Sequence, residues 1–120
     1  MPNAIARHRR KAFIAQDGCC FYCSLPVWED CLELFASNHR LSHNQARLLR
    51  CTAEHLQAKC GGGRDVKSNI VAACQFCNKR RHRARDPLDP QQYRQRVRAR
   101  ISLGLWHSPH IVAAMRAMTD

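Results

Sequence analysis

The stretch Cys51-Thr-Ala-Glu-His-Leu-Gln-Ala-Lys-Cys60-Gly-Gly-Gly-Arg-Asp-Val-Lys-Ser-Asn-Ile70-Val-Ala-Ala-Cys-Gln-Phe-Cys-Asn-Lys-Arg80 decides how the chain folds. An acid–histidine pair, Glu54-His55, comes first, then three glycines at 61–63, a lone Asn69, and a C-x-x-C (Cys74, Cys77) followed by Asn78 and a basic run. Arg47 to Leu56 sets Leu48, Leu49, Cys51, Ala53 and Leu56 among polar residues and reads as a strand. The glycines are a loop, and Asn69 to Ala73 is the short return segment. Val66 stands directly before Lys67-Ser68, where a P-loop needs its second glycine, which excludes that kind of phosphate cradle.

Outside this stretch the chain is basic. It carries 20 Lys and Arg against 9 Asp and Glu, a net charge of +11. Lysine and arginine displace counterions from phosphates, so a polyanionic partner, nucleic acid, is expected. Lys79 to Arg100 holds much of the excess, with Lys79, Arg80, Arg81 and His82 placed to meet flanking phosphates. At 120 residues a single domain (1–120) with a modest core is expected. Met1 to Phe13 is arginine-rich and has no apolar stretch long enough for a signal peptide. No apolar run is long enough to cross a bilayer. A cytoplasmic, reducing setting follows, where closely paired cysteines usually bind metal, and a bacterial or phage source is expected.

The flanks read as helices. Residues 3–16 form a basic amphipathic helix with Ile5, Ala12 and Phe13 inward, stopped by Asp17-Gly18. Pro26 to Phe35 is expected as a short helix with Trp28, Cys31, Leu32 and Phe35 inward, and Asn38 to Asn44 as a loop whose His39 and His43 are polar surface. A helix is expected from Gln75 to about Arg85, ending where Pro87 disfavours α geometry in Asp86. Asp89-Pro90-Gln91-Gln92 has the residues of a capped helix start. Tyr93, Val97 and Ile101 then face inward and Gly104 marks the end. Ser108-Pro109 opens a last helix with Ile111, Met115 and Met118 on one side, so helices cover 89–118 and the motif core covers 19–86.

Two C-x-x-C pairs, Cys20/Cys23 and Cys74/Cys77, suit one tetrahedral structural zinc with no open position. Cys31, Cys51 and Cys60 have no close-spaced partner and read as small buried or surface thiols. Catalysis must then come from residues the staple holds. Phosphodiester hydrolysis needs a base and a cation to neutralise developing charge. His55 is the natural base at neutral pH. Glu54 and the amide oxygen of Asn78 suit a hard divalent ion such as magnesium. On a regular strand Glu54 points away from His55, so a bend at its end is expected. Asn69 is placed to fix the His55 ring by one hydrogen bond.

In that order and spacing these residues resemble the HNH endonucleases of the zinc-stapled ββα-metal (His-Me finger) type. The matching parts are Cys20-Phe21-Tyr22-Cys23, Glu54-His55, the glycines at 61–63, Asn69-Ile70-Val71 and Cys74-Gln75-Phe76-Cys77-Asn78-Lys79, from residue 19 to about 82. The resemblance implies an α+β fold with a treble-clef-like, four-cysteine zinc staple. It implies His55 as general base, Glu54 and Asn78 on a catalytic Mg2+ or Mn2+ ion, and Asn69 orienting the histidine and shaping the loop. DNA would be cut to leave a 5′-phosphate and a 3′-hydroxyl. Two departures stand out: Glu54 where aspartate is usual, and Asn78 where histidine is. His82, one helical turn after Asn78, is placed to share the site. The rival from another class is a catalytically inactive zinc-finger module that binds nucleic acid.

Overall fold

Two five-residue strands carry the site. In the computed structural model, which describes residues 3–117, β1 (Cys51–His55) and β2 (Ile70–Cys74) pair antiparallel, with Cys51 opposite Cys74 and His55 opposite Ile70. The ladder runs one bond further, from the Leu56 amide to the Asn69 carbonyl at 2.9 Å, before the chain enters the glycine loop. β2 is built of small and apolar residues, and Ala72 and Ala73 are fully buried. α1 (Ala4–Ala15) lies close across the sheet.

Gln16, just past α1, acts as a one-residue third strand. Its Nε2 donates to Ala72 O (2.9 Å) and Cys19 O (2.8 Å), and its Oε1 accepts from the Ala72 amide (3.0 Å). α1 is capped by Asn3 and stops where Asp17 and Gly18 take positive φ, in line with the expected Asp-Gly stop. Ala12 and Phe13 pack on the core while Ile14 on the far side is exposed.

Residues 24–50 depart most from expectation. Pro26 to Trp28 are extended. The Val27 amide donates to Gly18 O and the Trp28 amide to Leu49 O, and Trp28 forms a parallel bridge with Arg50. The Trp28 carbonyl in turn accepts from the Cys51 amide (2.8 Å), so this extended segment is bonded across the chain at both faces of its backbone and forms no helical turn. The helix comes later, as α2 (Leu32–His39), and Cys31 before it is exposed rather than packed inward. The expected loop at 38–44 shrinks to three residues. Arg40 closes α2 in the left-handed region, and Ser42 opens α3 (His43–Arg47) with a capping box to Gln45. Arg47 to Leu49 therefore belong to a helical end, and the strand starts only at Cys51.

α4 (Gln75–Arg81) grows directly from β2, with the Cys74 sulfur accepting from the Cys77 amide as its cap. It ends at Arg81, four residues earlier than the expected Arg85. Arg81 turns inward and spends its guanidinium on carbonyls beyond the helix, which fixes the chain's exit there. α5 (Pro90–Ser102) is capped by Asp89 and buries Tyr93, Val97 and Ile101 as one stripe. α6 (Pro109–Ala117) buries Ile111 and Met115; Met118 lies outside the described residues.

The core gathers Tyr22, Leu25, Val27 and Leu49 around the buried cysteines, with α5 and α6 closing it through Val97, Trp106 and Met115. Among the described residues no helix is long and apolar enough to cross a membrane. The architecture is a small α+β fold: a two-stranded antiparallel sheet with helices around it.

Candidate metal centre and adjoining polar cavity

The two knuckles meet although 50 residues separate them. The sulfurs of Cys20, Cys23, Cys74 and Cys77 all lie within 4.8 Å of one another, and all four residues are buried. Cys23 and Cys74 sulfurs are 3.9 Å apart. A zinc ion with bonds of about 2.3 Å sets tetrahedral sulfur–sulfur edges of about 3.8 Å, so the four thiols fit a metal such as zinc. No disulfide forms among the described residues.

Backbone amides already point at these sulfurs. Tyr22, Cys23 and Cys74 amides donate to Cys20 Sγ at 3.3–3.5 Å, and the Cys77 amide donates to Cys74 Sγ at 3.3 Å. Burial pushes the Cys74 and Cys77 thiols up. Burial acts the same way on Cys20, but hydrogen bonds from Cys23, Cys74 and Cys77 outweigh it and hold that thiol well below its ordinary range.

Beside the cluster a cavity of about 290 Å3 opens between the end of β1, the glycine loop and α4. Its lining includes Glu54, His55, Lys59, Asn78 and His82. Glu54 and His55 thus reach one cavity although they are neighbours on a strand. Glu54 is buried, and its carboxylate is held by three donors. Tyr22 Oη donates to Oε2 at 2.8 Å, Arg81 donates to the same oxygen at 3.1 Å, and His82 Nε2 lies 2.8 Å from Oε1. Burial and the Glu54 charge together push the Tyr22 phenol up, so it stays a donor.

Asn78 turns its amide nitrogen to β1, donating to Thr52 Oγ1 (3.0 Å) and Ala53 O (3.4 Å), which leaves its oxygen as the group for a ligand. His55 Nε2 is 2.7 Å from Asp65 Oδ1, and Lys59 Nζ is 3.2 Å from Asp65 Oδ2. An ionised carboxylate only accepts, so Nε2 carries the proton and Nδ1 is the basic nitrogen. The His55 hydrogen bond, with Lys59 adding to it, holds the Asp65 carboxyl below its ordinary range.

Asn69 does not touch the His55 ring, contrary to expectation. Its side chain accepts from the Gln57 amide (2.8 Å) and donates to Gln57 O and Arg64 O (3.0 Å each), pinning the base of the loop. The residue bonded to the His55 ring is Asp65. The loop needs its glycines at two places. Gly62 has φ of 91°, and a Cβ on Gly63 would fall 1.7 Å from Gln57 O.

Arg81 is the clearest correction. The basic run groups it with Lys79 and Arg80 as a phosphate ligand, but it is buried and makes five hydrogen bonds, to Glu54, His55 O, Leu56 O and twice to Leu88 O. A readable signal exists: Arg81 lies four residues after Cys77 and seven after Cys74, on the inward face of α4. Sequence reasoning also misses Tyr22, inside the first C-x-x-C, and Asp65, two residues past the glycines, as partners of Glu54 and His55. Lys79 and Arg80 are exposed. Comparison with protein-family models, curated proteins and solved structures finds no match to this chain.

Proposed function

We propose that the chain is a metal-dependent DNA endonuclease of the HNH type, a ββα-metal nuclease on a treble-clef-like zinc staple. The observation that carries this reading is the shared cavity, where Glu54, His55, Asn78 and His82 converge from β1 and α4 beside the four cysteines. Zinc at Cys20, Cys23, Cys74 and Cys77 is structural, since four thiolates leave no open position. It fixes the first knuckle to the start of α4 and so sets Asn78 against Thr52.

His55 is the general base, taking a proton from water at Nδ1 while Asp65 keeps Nε2 protonated and the ring in place. Glu54 Oε1 and the Asn78 amide oxygen hold a Mg2+ or Mn2+ ion, and the His82 imidazole stands next to that carboxylate oxygen. The donors fit such an ion: one carboxylate oxygen and one amide oxygen with its NH2 turned away. When bound, the ion neutralises charge growing on the scissile phosphate and the leaving oxygen. Arg81 and Tyr22 anchor Glu54 from beneath. Lys79 and Arg80, with the exposed arginines of α5, bind flanking phosphates without reading bases.

One observation favours the rival, a nucleic-acid-binding module without activity: the Glu54 carboxylate already has three partners, one of them an arginine. Incubation of supercoiled plasmid with the zinc-loaded chain, with Mg2+ or Mn2+ and then with EDTA, separates the two. Nicking that EDTA abolishes supports the nuclease. A shifted but uncut plasmid at every divalent ion supports the rival.

A further inference from the structure

We propose that Trp106 and His107, from the turn between α5 and α6, belong to the metal centre, as ring N–H donors to two of its sulfurs. Trp106 Nε1 lies 3.3 Å from Cys77 Sγ, and His107 Nε2 lies 3.7 Å from Cys74 Sγ. The inference rests on metal binding by the four cysteines and is independent of whether the chain cuts DNA.

Four thiolates around a dication leave excess negative charge in a buried place, and such a centre is stable only where donors surround the sulfurs. Backbone amides serve Cys20 and Cys74. No backbone amide among the described residues is bonded to Cys77 Sγ; its donor is the indole of Trp106. Indole N–H can only donate, so the sense of that bond is fixed. A thiolate accepts, which likewise puts the imidazole proton of His107 on Nε2.

The backbone is shaped to bring both rings to one side. Successive side chains on extended chain point apart. His107 breaks this by adopting φ of 55°, a left-handed conformation unfavourable for most residues other than glycine. Both rings close on Phe76, which stands inside the second C-x-x-C. Phe76 meets Trp106 edge-on at 5.1 Å and lies against His107 at 4.4 Å. Trp106 and His107 are both buried, and the Arg80 and Arg100 guanidiniums lie 5.7 and 6.0 Å from the Trp106 ring centre. The turn is thus a cover on the second knuckle that donates two hydrogen bonds to sulfur and puts positive charge outside.

The test is metal release from the zinc-loaded full chain without DNA. Trp106→Phe keeps an aromatic ring at this buried position and removes the N–H together with the rest of the pyrrole ring; Leu105→Ala, at an exposed neighbour, is the control. Zinc transfer to excess EDTA, read with a colorimetric zinc indicator, should be about tenfold faster in W106F and unchanged in L105A. In the Co2+-substituted protein the thiolate-to-metal charge-transfer band should move to longer wavelength in W106F, because a sulfur without its donor holds its electrons less tightly. Should W106F fail to fold, His107→Asn carries the same two readouts at Cys74, since asparagine tolerates the left-handed backbone. Unchanged release and an unmoved band in a folded variant overturn the proposal. A wild-type chain that takes up neither zinc nor cobalt overturns the metal centre itself, and the proposal with it.

Discussion

Arg81 and Glu54 form an ion pair at 3.1 Å in the interior, with side chains 4% and 1% exposed. The pair joins α4 to the end of β1 directly beneath the polar cavity, and Arg81 carries on to Leu56 O and Leu88 O. It is therefore both a structural tie and the floor of the candidate site. Removing one partner of a buried pair strands the other charge in low dielectric. Arg81→Met should cost about 3–5 kcal/mol in urea unfolding. The double variant Arg81→Met/Glu54→Gln should recover part of that cost, because no charge is then left unpaired. A cost below about 1 kcal/mol in the single variant, the range of exposed pairs, contradicts the assigned burial.

Cysteine reactivity should divide by environment. Burial, with the Glu29 charge adding, pushes the Cys51 thiol up to about 12, so it stays protonated at neutral pH. Cys31 and Cys60 are exposed. Iodoacetamide at pH 8, with sites mapped by mass spectrometry, should label Cys31 and Cys60 first and Cys51 only after denaturation. The four clustered cysteines should become reactive once a chelator strips the metal. Early labelling of Cys51 would contradict its position in the core.

The glycine loop should be latched by Asp65 over a defined pH range. The His55 bond lowers the Asp65 carboxyl, and a depressed carboxylate stabilises the latch in full above the ordinary value, about 3.9. The latch opens as pH falls through the lowered value and the carboxylate takes up its proton. A carbon-13 NMR titration should place the Asp65 midpoint below the ordinary carboxylate range, and His55→Ala should raise it. An ordinary midpoint in the wild type rules out the latch.

DNA binding should depend on the exposed cations and not on the buried one. Lys79→Ala and Arg80→Ala should each lower the slope of log K against log salt by about 0.9, because each variant leaves one phosphate without its cation. Filter binding over a salt series checks this. Slopes equal to wild type in both variants remove α4 from the interface.

What depends on spacing and turn chemistry is legible in the sequence. The paired C-x-x-C motifs, the strand–loop–strand around the glycines and the Asp89-capped α5 all follow from local pattern, and the structure bears out each, with the first strand starting at Cys51 instead of Arg47. What depends on long-range pairing is not legible. Pro26 to Trp28 is held extended by hydrogen bonds to Gly18, Leu49 and Cys51, which no local pattern announces. α3 is a different case: Ser42 and Gln45 are a readable capping box, overshadowed by His39 and His43 in a short polar stretch. At the site, the residue types point to the right neighbourhood, but the partners Tyr22, Asp65 and Arg81 come from segments that only the fold brings together. Arg81 is masked by its basic neighbours, since composition assigns the whole run to the surface.

The central claim is that His55 takes a proton during phosphodiester hydrolysis, and one comparison tests it most directly. Wild type and His55→Ala are matched for zinc content and thermal melting, then assayed for Mg2+- or Mn2+-dependent nicking of supercoiled plasmid. The expected result is equal zinc, a similar melt and a cleavage rate lowered by about 10²–10⁴. Cleavage by the variant at the wild-type rate, or a wild type that binds plasmid and never cuts it, contradicts the claim.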